Sequence, residues 1–104
     1  MFIYNVTVHL EPAVEKEWLQ WMEEEHIPAM HKTQKIFATK VFEVQTEQAL
    51  GGKSYAVQYH MKEQSVYESY LRENAASLRA KVHEKFGEQI LFFRTGLKLI
   101  KAYK

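Results

Sequence analysis

Hydrophobic residues along this chain repeat with two different periods, and the order of those periods leaves few folds open. From Phe2 to Leu10 they alternate: Phe2, Tyr4, Val6, Val8 and Leu10 share one side, and Ile3, Asn5, Thr7 and His9 the other. That is the mark of a half-buried strand. Pro12 then sits where a first helical turn tolerates it, with Glu15 and Glu17 at the positive end of the helix dipole. Alternation returns from Ile36 to Thr46, where Ile36, Ala38, Phe42 and Val44 share a side that Lys40 interrupts. Gly51 and Gly52 supply a turn, and Lys53 to Met61 forms a third strand. Ser65 and Glu68 have capping-box spacing, and Tyr67, Leu71, Ala75, Leu78 and Val82 follow at helical intervals up to Gly87, a left-handed stop. Gln89 to Lys101 alternates once more, with Leu91, Phe93, Thr95, Leu97 and Leu99 on one side. The order is βαββαβ. Right-handed crossovers fold it into a four-stranded antiparallel sheet with both helices on one face, a ferredoxin-like α+β architecture.

The 104 residues suffice for one domain, spanning 1–104, around a single modest core. The absence of cysteine excludes disulfides and thiolate metal sites. No apolar run is long enough to span a bilayer, and the first residues read as a strand rather than a leader, so a cytoplasmic protein is expected. A formal net charge of +1 provides no field for nucleic acid or an anionic membrane. RNA-recognition domains share this element order, but Lys53–Tyr59 lacks the glycine of their signature. Alternation also turns Tyr55, Val57 and Tyr59 toward the helices.

Two helices cover one sheet face only. The other is expected to carry Ile3, Asn5, Thr7 and His9, then Ala56, Gln58 and His60, then Ile90, Phe92, Arg94 and Gly96. Such a sparsely charged surface predicts a homodimer formed through the helix-free face.

The chemistry concentrates between Trp18 and Ile36, which holds both tryptophans and three consecutive glutamates. On a wheel advancing about 100° per residue, Val14, Trp21 and Met22 fall within roughly 60° of Trp18. Glu25 lies about 20° from Trp18, and His26 on the margin at roughly 80°. Glu25 is therefore expected to face the interior, desolvated, as a general acid or base, with His26 as its partner. The helix is expected to end or kink near Ile27-Pro28. Trp18 and Trp21 would wall a pocket, and Tyr4 and Tyr59, on neighbouring strands, would turn hydroxyls into it. The histidines lack metal-site spacing, and no phosphate, dinucleotide or serine-nucleophile motif occurs, so neither metal nor cofactor is expected.

The blocks Glu17–Pro28 (E-W-L-Q-W-M-E-E-E-H-I-P), Gly51–Tyr59 (G-G-K-S-Y-A-V-Q-Y) and Tyr70–Arg79 (Y-L-R-E-N-A-A-S-L-R), with F-F-R-T near the end, resemble a family of short bacterial proteins of the Bacteroidetes type. That family is catalogued as a domain of unknown function. Gln34 stands where its members often carry glycine. More distantly the layout is similar to the dimeric α/β-barrel superfamily, which includes cofactor-independent monooxygenases and small isomerases. The resemblance implies the fold and the dimer, and no established catalytic residue. Two functions are then expected. One is a cofactor-independent enzyme acting on a small, partly aromatic metabolite through an acid/base carboxylate. The other is a non-catalytic ligand-binding or structural homodimer.

Overall fold

The alternation from Phe2 to Leu10 becomes the strand around which the sheet is built. In a computed structural model, which describes residues 1–45 and 52–104, β1 (Phe2–Leu10) pairs with β3 (Lys53–Met61) on one side and β4 (Ile90–Lys98) on the other. A short edge strand, β2 (Ala38–Glu43), completes the order β2-β3-β1-β4, with every pair antiparallel. This is the ferredoxin-like α+β sheet that the periodicities predict. The second strand is shorter than its pattern, and its expected end at Thr46 and the Gly51 position of the expected turn lie outside the described residues. Gly52 does adopt φ 86°, and a Cβ there would meet the carbonyl oxygen of Leu10.

Between β1 and β2 the chain runs through a 3₁₀ turn (Pro12–Val14), α1 (Glu15–Trp21), a π-helical turn (Met22–His26) and α2 (Ile27–Lys32). Of the end or kink expected near Ile27-Pro28, the end is corrected, since the helical path continues past the proline, while the α-helical ladder is interrupted just before it by the π turn. The Ile27 amide donates to the carbonyl of Met22, five residues back. Pro28 then falls in the first turn of α2, where an amide hydrogen is dispensable.

The second helical region is α3 (Gln64–Glu73) and α4 (Ala75–Phe86), broken at Asn74, whose φ is −125°. Lys35 Nζ donates to Asn74 Oδ1 and to Glu73 Oε2, both at 2.6 Å, tying the break to the loop before β2. The capping box is also corrected. Glu63 is the N-cap, Ser65 lies inside the helix, and the Ser65 hydroxyl donates back to Glu63 at 2.7 Å. Because of the break the buried stripe is Tyr70, Ala75, Leu78, Val82 and Phe86, while Leu71 is exposed. Gly87 ends α4 with φ 55°, as its position suggested.

The largest correction concerns β4. Its pairing sets Phe92 beside Val8, Arg94 beside Val6 and Gly96 beside Tyr4, on the helix-covered face. The expected faces are inverted, and the helix-free face carries Leu91, Phe93, Thr95 and Leu97 instead. Alternation alone favours the more apolar set as core. Packing decides otherwise: the Phe2 ring lies where a Cβ on residue 96 would stand, 2.6 Å from Cζ, so this position accepts only glycine without a shift. Tyr4, Trp18, Met30, Val57, Tyr59, Met61 and Tyr70 form the centre of the core between helices and sheet. Among the described residues no helix is long and apolar enough to cross a membrane.

Candidate functional site

A small cavity of about 40 Å³ remains inside that core. Its floor is Tyr4, Val6 and Val8 of β1, Val57 and Tyr59 of β3, and Phe92 and Arg94 of β4. Its roof is Trp18, Met22, His26 and Met30 from the first helical region, with Tyr70, Arg79 and Val82 from the second.

The roof explains the π turn. Trp18, Met22, His26 and Met30 recur every four residues, as does Val14 before them. In an α-helix of 3.6 residues per turn such a stripe drifts around the axis. The wider π turn holds it on one face. One extra residue is absorbed before position 26, so His26 takes the inward place that an α-helical wheel assigns to Glu25. Glu25 is correspondingly exposed, contrary to the expected interior orientation. It lines an outer cleft of about 380 Å³ with Trp21, His26, Ala29, Leu78, Lys81, Glu84 and Lys85.

His26 is the wall shared by the cavity and the cleft. Its ring stacks on Trp21 with centroids 5.2 Å apart and planes at 21°, and Trp21 meets Phe86 edge-on. Burial, assisted by the positive charge of Lys81, holds the imidazole down to a pKa of about 4, so the ring is neutral at physiological pH. A neutral imidazole has a free lone pair for a proton, and the burial that keeps it neutral also makes it a weaker base than an exposed histidine.

Tyr4 and Tyr59 are direct partners across β1 and β3, with ring centroids 5.7 Å apart. Arg79 Nη2 donates to the Tyr4 hydroxyl at 3.2 Å, and the Tyr70 hydroxyl donates to Met30 Sδ at 3.5 Å. Burial pushes the phenols of Tyr59 and Tyr70 well above the ordinary range, so both keep their protons. Arg94 lies over the Phe92 ring, its guanidinium carbon 5.1 Å from the centroid. Trp18 is fully buried beside Tyr55 and forms cavity wall.

Of the residues singled out from sequence, the cavity gathers Tyr4, Tyr59, Trp18 and His26, while Trp21 and Glu25 lie in the outer cleft. Sequence reasoning missed Tyr70, Arg79 and Met30 and put Arg94 on the wrong face. The four-residue stripe was the available signal for Met30. Among the described residues no group of three His, Asp or Glu side chains is placed to hold a metal ion.

Fold and cavity define a small ferredoxin-like α+β protein with polar side chains gathered beneath its helices. The chain belongs to the family described as a domain of unknown function, DUF4286, whose model matches residues 1–100. No curated protein is similar to it in sequence. Among solved structures it is similar to HapK from Hahella chejuensis, with a TM-score of 0.68 and 11% identity over 100% of this chain and 98% of that one. A protein described as dimeric and ferredoxin-like, from an uncultured marine organism, gives 0.67 and 10% over 98% and 97%. An ethyl tert-butyl ether d (ethd) family protein from Bacillus halodurans gives 0.62 and 10% over 91% and 97%. At such identities the likeness concerns the fold.

Proposed function

We propose that this is a homodimeric small-molecule protein whose helix–sheet cavity receives part of a small, partly aromatic metabolite, with His26 as the acid/base group and no metal, flavin or nicotinamide. One observation carries the reading. Tyr4, Tyr59, Tyr70, His26, Arg79 and Arg94 converge on a single, otherwise apolar cavity. Polar groups lose water on burial and are normally repaid by hydrogen bonds, so a purely structural core has no use for a guanidinium such as that of Arg79, whose buried Nε finds no acceptor among the described residues. Proton abstraction by neutral His26 would leave negative charge in reach of phenolic and guanidinium donors. Glu25, in the outer cleft with His26, would pass the proton to solvent. The dimeric character of the similar marine protein and the apolar helix-free face support the assembly.

The size of the cavity favours the second reading, a binding or structural dimer without catalysis. About 40 Å³ is well below the roughly 300–1,000 Å³ of ordinary ligand sites. Thermal melts against a panel of phenols and aromatic acids separate the readings. A ligand that raises the melting temperature, is altered over hours by the wild type, and is bound but unaltered by His26→Gln would establish catalysis. A ligand bound and never altered would establish the binding protein. No hit at millimolar concentration would leave the polar groups as architecture.

A further inference from the structure

The charges around the cavity do not balance. Arg79 and Arg94 bring two guanidinium groups to its wall, and among the described residues no carboxylate lines it. Neither arginine appears in an ion pair with any described residue. The partner of Arg79 is the Tyr4 hydroxyl, and Arg79 Nε is buried with no acceptor among the described residues. The remaining titratable groups facing the space are His26, Tyr4, Tyr59 and Tyr70. His26 is neutral or cationic and Tyr59 and Tyr70 stay protonated, so these three contribute no negative charge.

A guanidinium with a buried, unused donor is unfavourable in the empty protein. We propose that the cavity binds the carboxylate head of its ligand and that Arg79 is the side chain that holds it, an assignment that rests on the cavity being a ligand site. A planar carboxylate accepts two parallel N–H bonds from a guanidinium fork, so Nε–H gains the acceptor it lacks. Arg94 adds positive charge from the β4 side, and protonated phenols add donors. Size selects among anions. The space accommodates about one to three water-sized groups, which suits the three heavy atoms of a carboxylate better than the five of a phosphate. The rest of the molecule must then lie beyond the cavity or displace its walls.

Calorimetric titration with benzoate and with benzyl alcohol, which shares the ring and lacks the charge, tests the assignment. Benzoate should bind the wild type at least tenfold more tightly than benzyl alcohol. Arg79→Gln should weaken benzoate at least tenfold and leave benzyl alcohol unchanged. In the absence of either probe, Arg79→Gln should be no less stable to urea than the wild type, because the ill-satisfied cation has gone. Should Arg79→Gln fail to fold, Arg79→Lys keeps a cation and loses the fork, and must still weaken benzoate selectively. Equal binding of the two probes would overturn the carboxylate assignment while leaving a ligand site in place. Absence of any binding would overturn both. Unchanged benzoate affinity in a destabilised Arg79→Gln would make this arginine a structural residue and would equally overturn the proposal.

Discussion

An imidazole that stays neutral down to about pH 4 links stability to pH in a definite direction. The unfolded chain takes up a proton near 6.5 and the folded chain only near 4, so between those values the unfolded state binds more protons. The contribution of His26 is whole above pH 6.5 and is lost as the pH falls toward 4, by about 3 kcal/mol in all. Urea unfolding at pH 4.5 and 7.5 should show a smaller stability difference for His26→Gln than for the wild type. Equal differences would place the ring in water. Gln34 offers a second test, since its φ of 63° is a left-handed conformation that side chains resist. Gln34→Gly should raise the unfolding free energy by about 1 kcal/mol, whereas a loss would show that the amide side chain anchors the turn. At this scale the sequence marked candidate residues without showing where they point. The choice between Glu25 and His26 turned on one extra residue in a π turn, which an ideal wheel does not contain.

Among the elements, β1 and β3 were legible to their last residues because alternation and burial agree along them, with only half-buried Val6 and buried His60 out of step. β4 was misread because its more apolar side, with Leu91, Phe93 and Leu97, is the one that faces away from the helices, while the side with Arg94 and Gly96 looks inward. The register therefore has a direct test at Gly96. If residue 96 lies under Phe2, Gly96→Ala should cost about 1–3 kcal/mol by overpacking, and Phe2→Leu should restore part of it. On the helix-free face the same change would be neutral or mildly stabilising, since alanine suits a strand better than glycine. The helical regions were legible as helices and not in phase, because a π turn and the Asn74 break each rotate the residues beyond them. Tyr70 and Arg79 flank that break, and the cavity chemistry they supply is invisible to a wheel drawn straight through it.

Taken whole, the molecule is a slab, with principal extents of 37 × 36 × 19 Å and a radius of gyration of 14.2 Å, against about 13 Å for a compact chain of this length. The thin dimension follows from the architecture, one layer of helices on one layer of sheet, with none of the described helices on the far side. Two such slabs stacked sheet to sheet would make a body of nearly equal sides. The far side invites it: Leu91, Phe93, Leu97 and Phe42 are 59%, 65%, 42% and 46% exposed on that face, a density of apolar groups that monomers seldom leave in water. The inverted phase of β4 strengthens this argument, since it moves Leu91, Phe93 and Leu97 outward and takes Arg94 away. Sedimentation equilibrium at micromolar concentration should therefore give twice the chain mass. Phe93→Glu combined with Leu91→Glu places four like charges across the two-fold interface and should give the single-chain mass with the far-ultraviolet spectrum retained, because neither side chain packs in the core. A wild type that sediments as a monomer would remove the dimer. A dimer indifferent to both glutamates would move the interface to another surface, for which the exposed Ile100 and Tyr103 of the C-terminal segment would be the next positions to substitute.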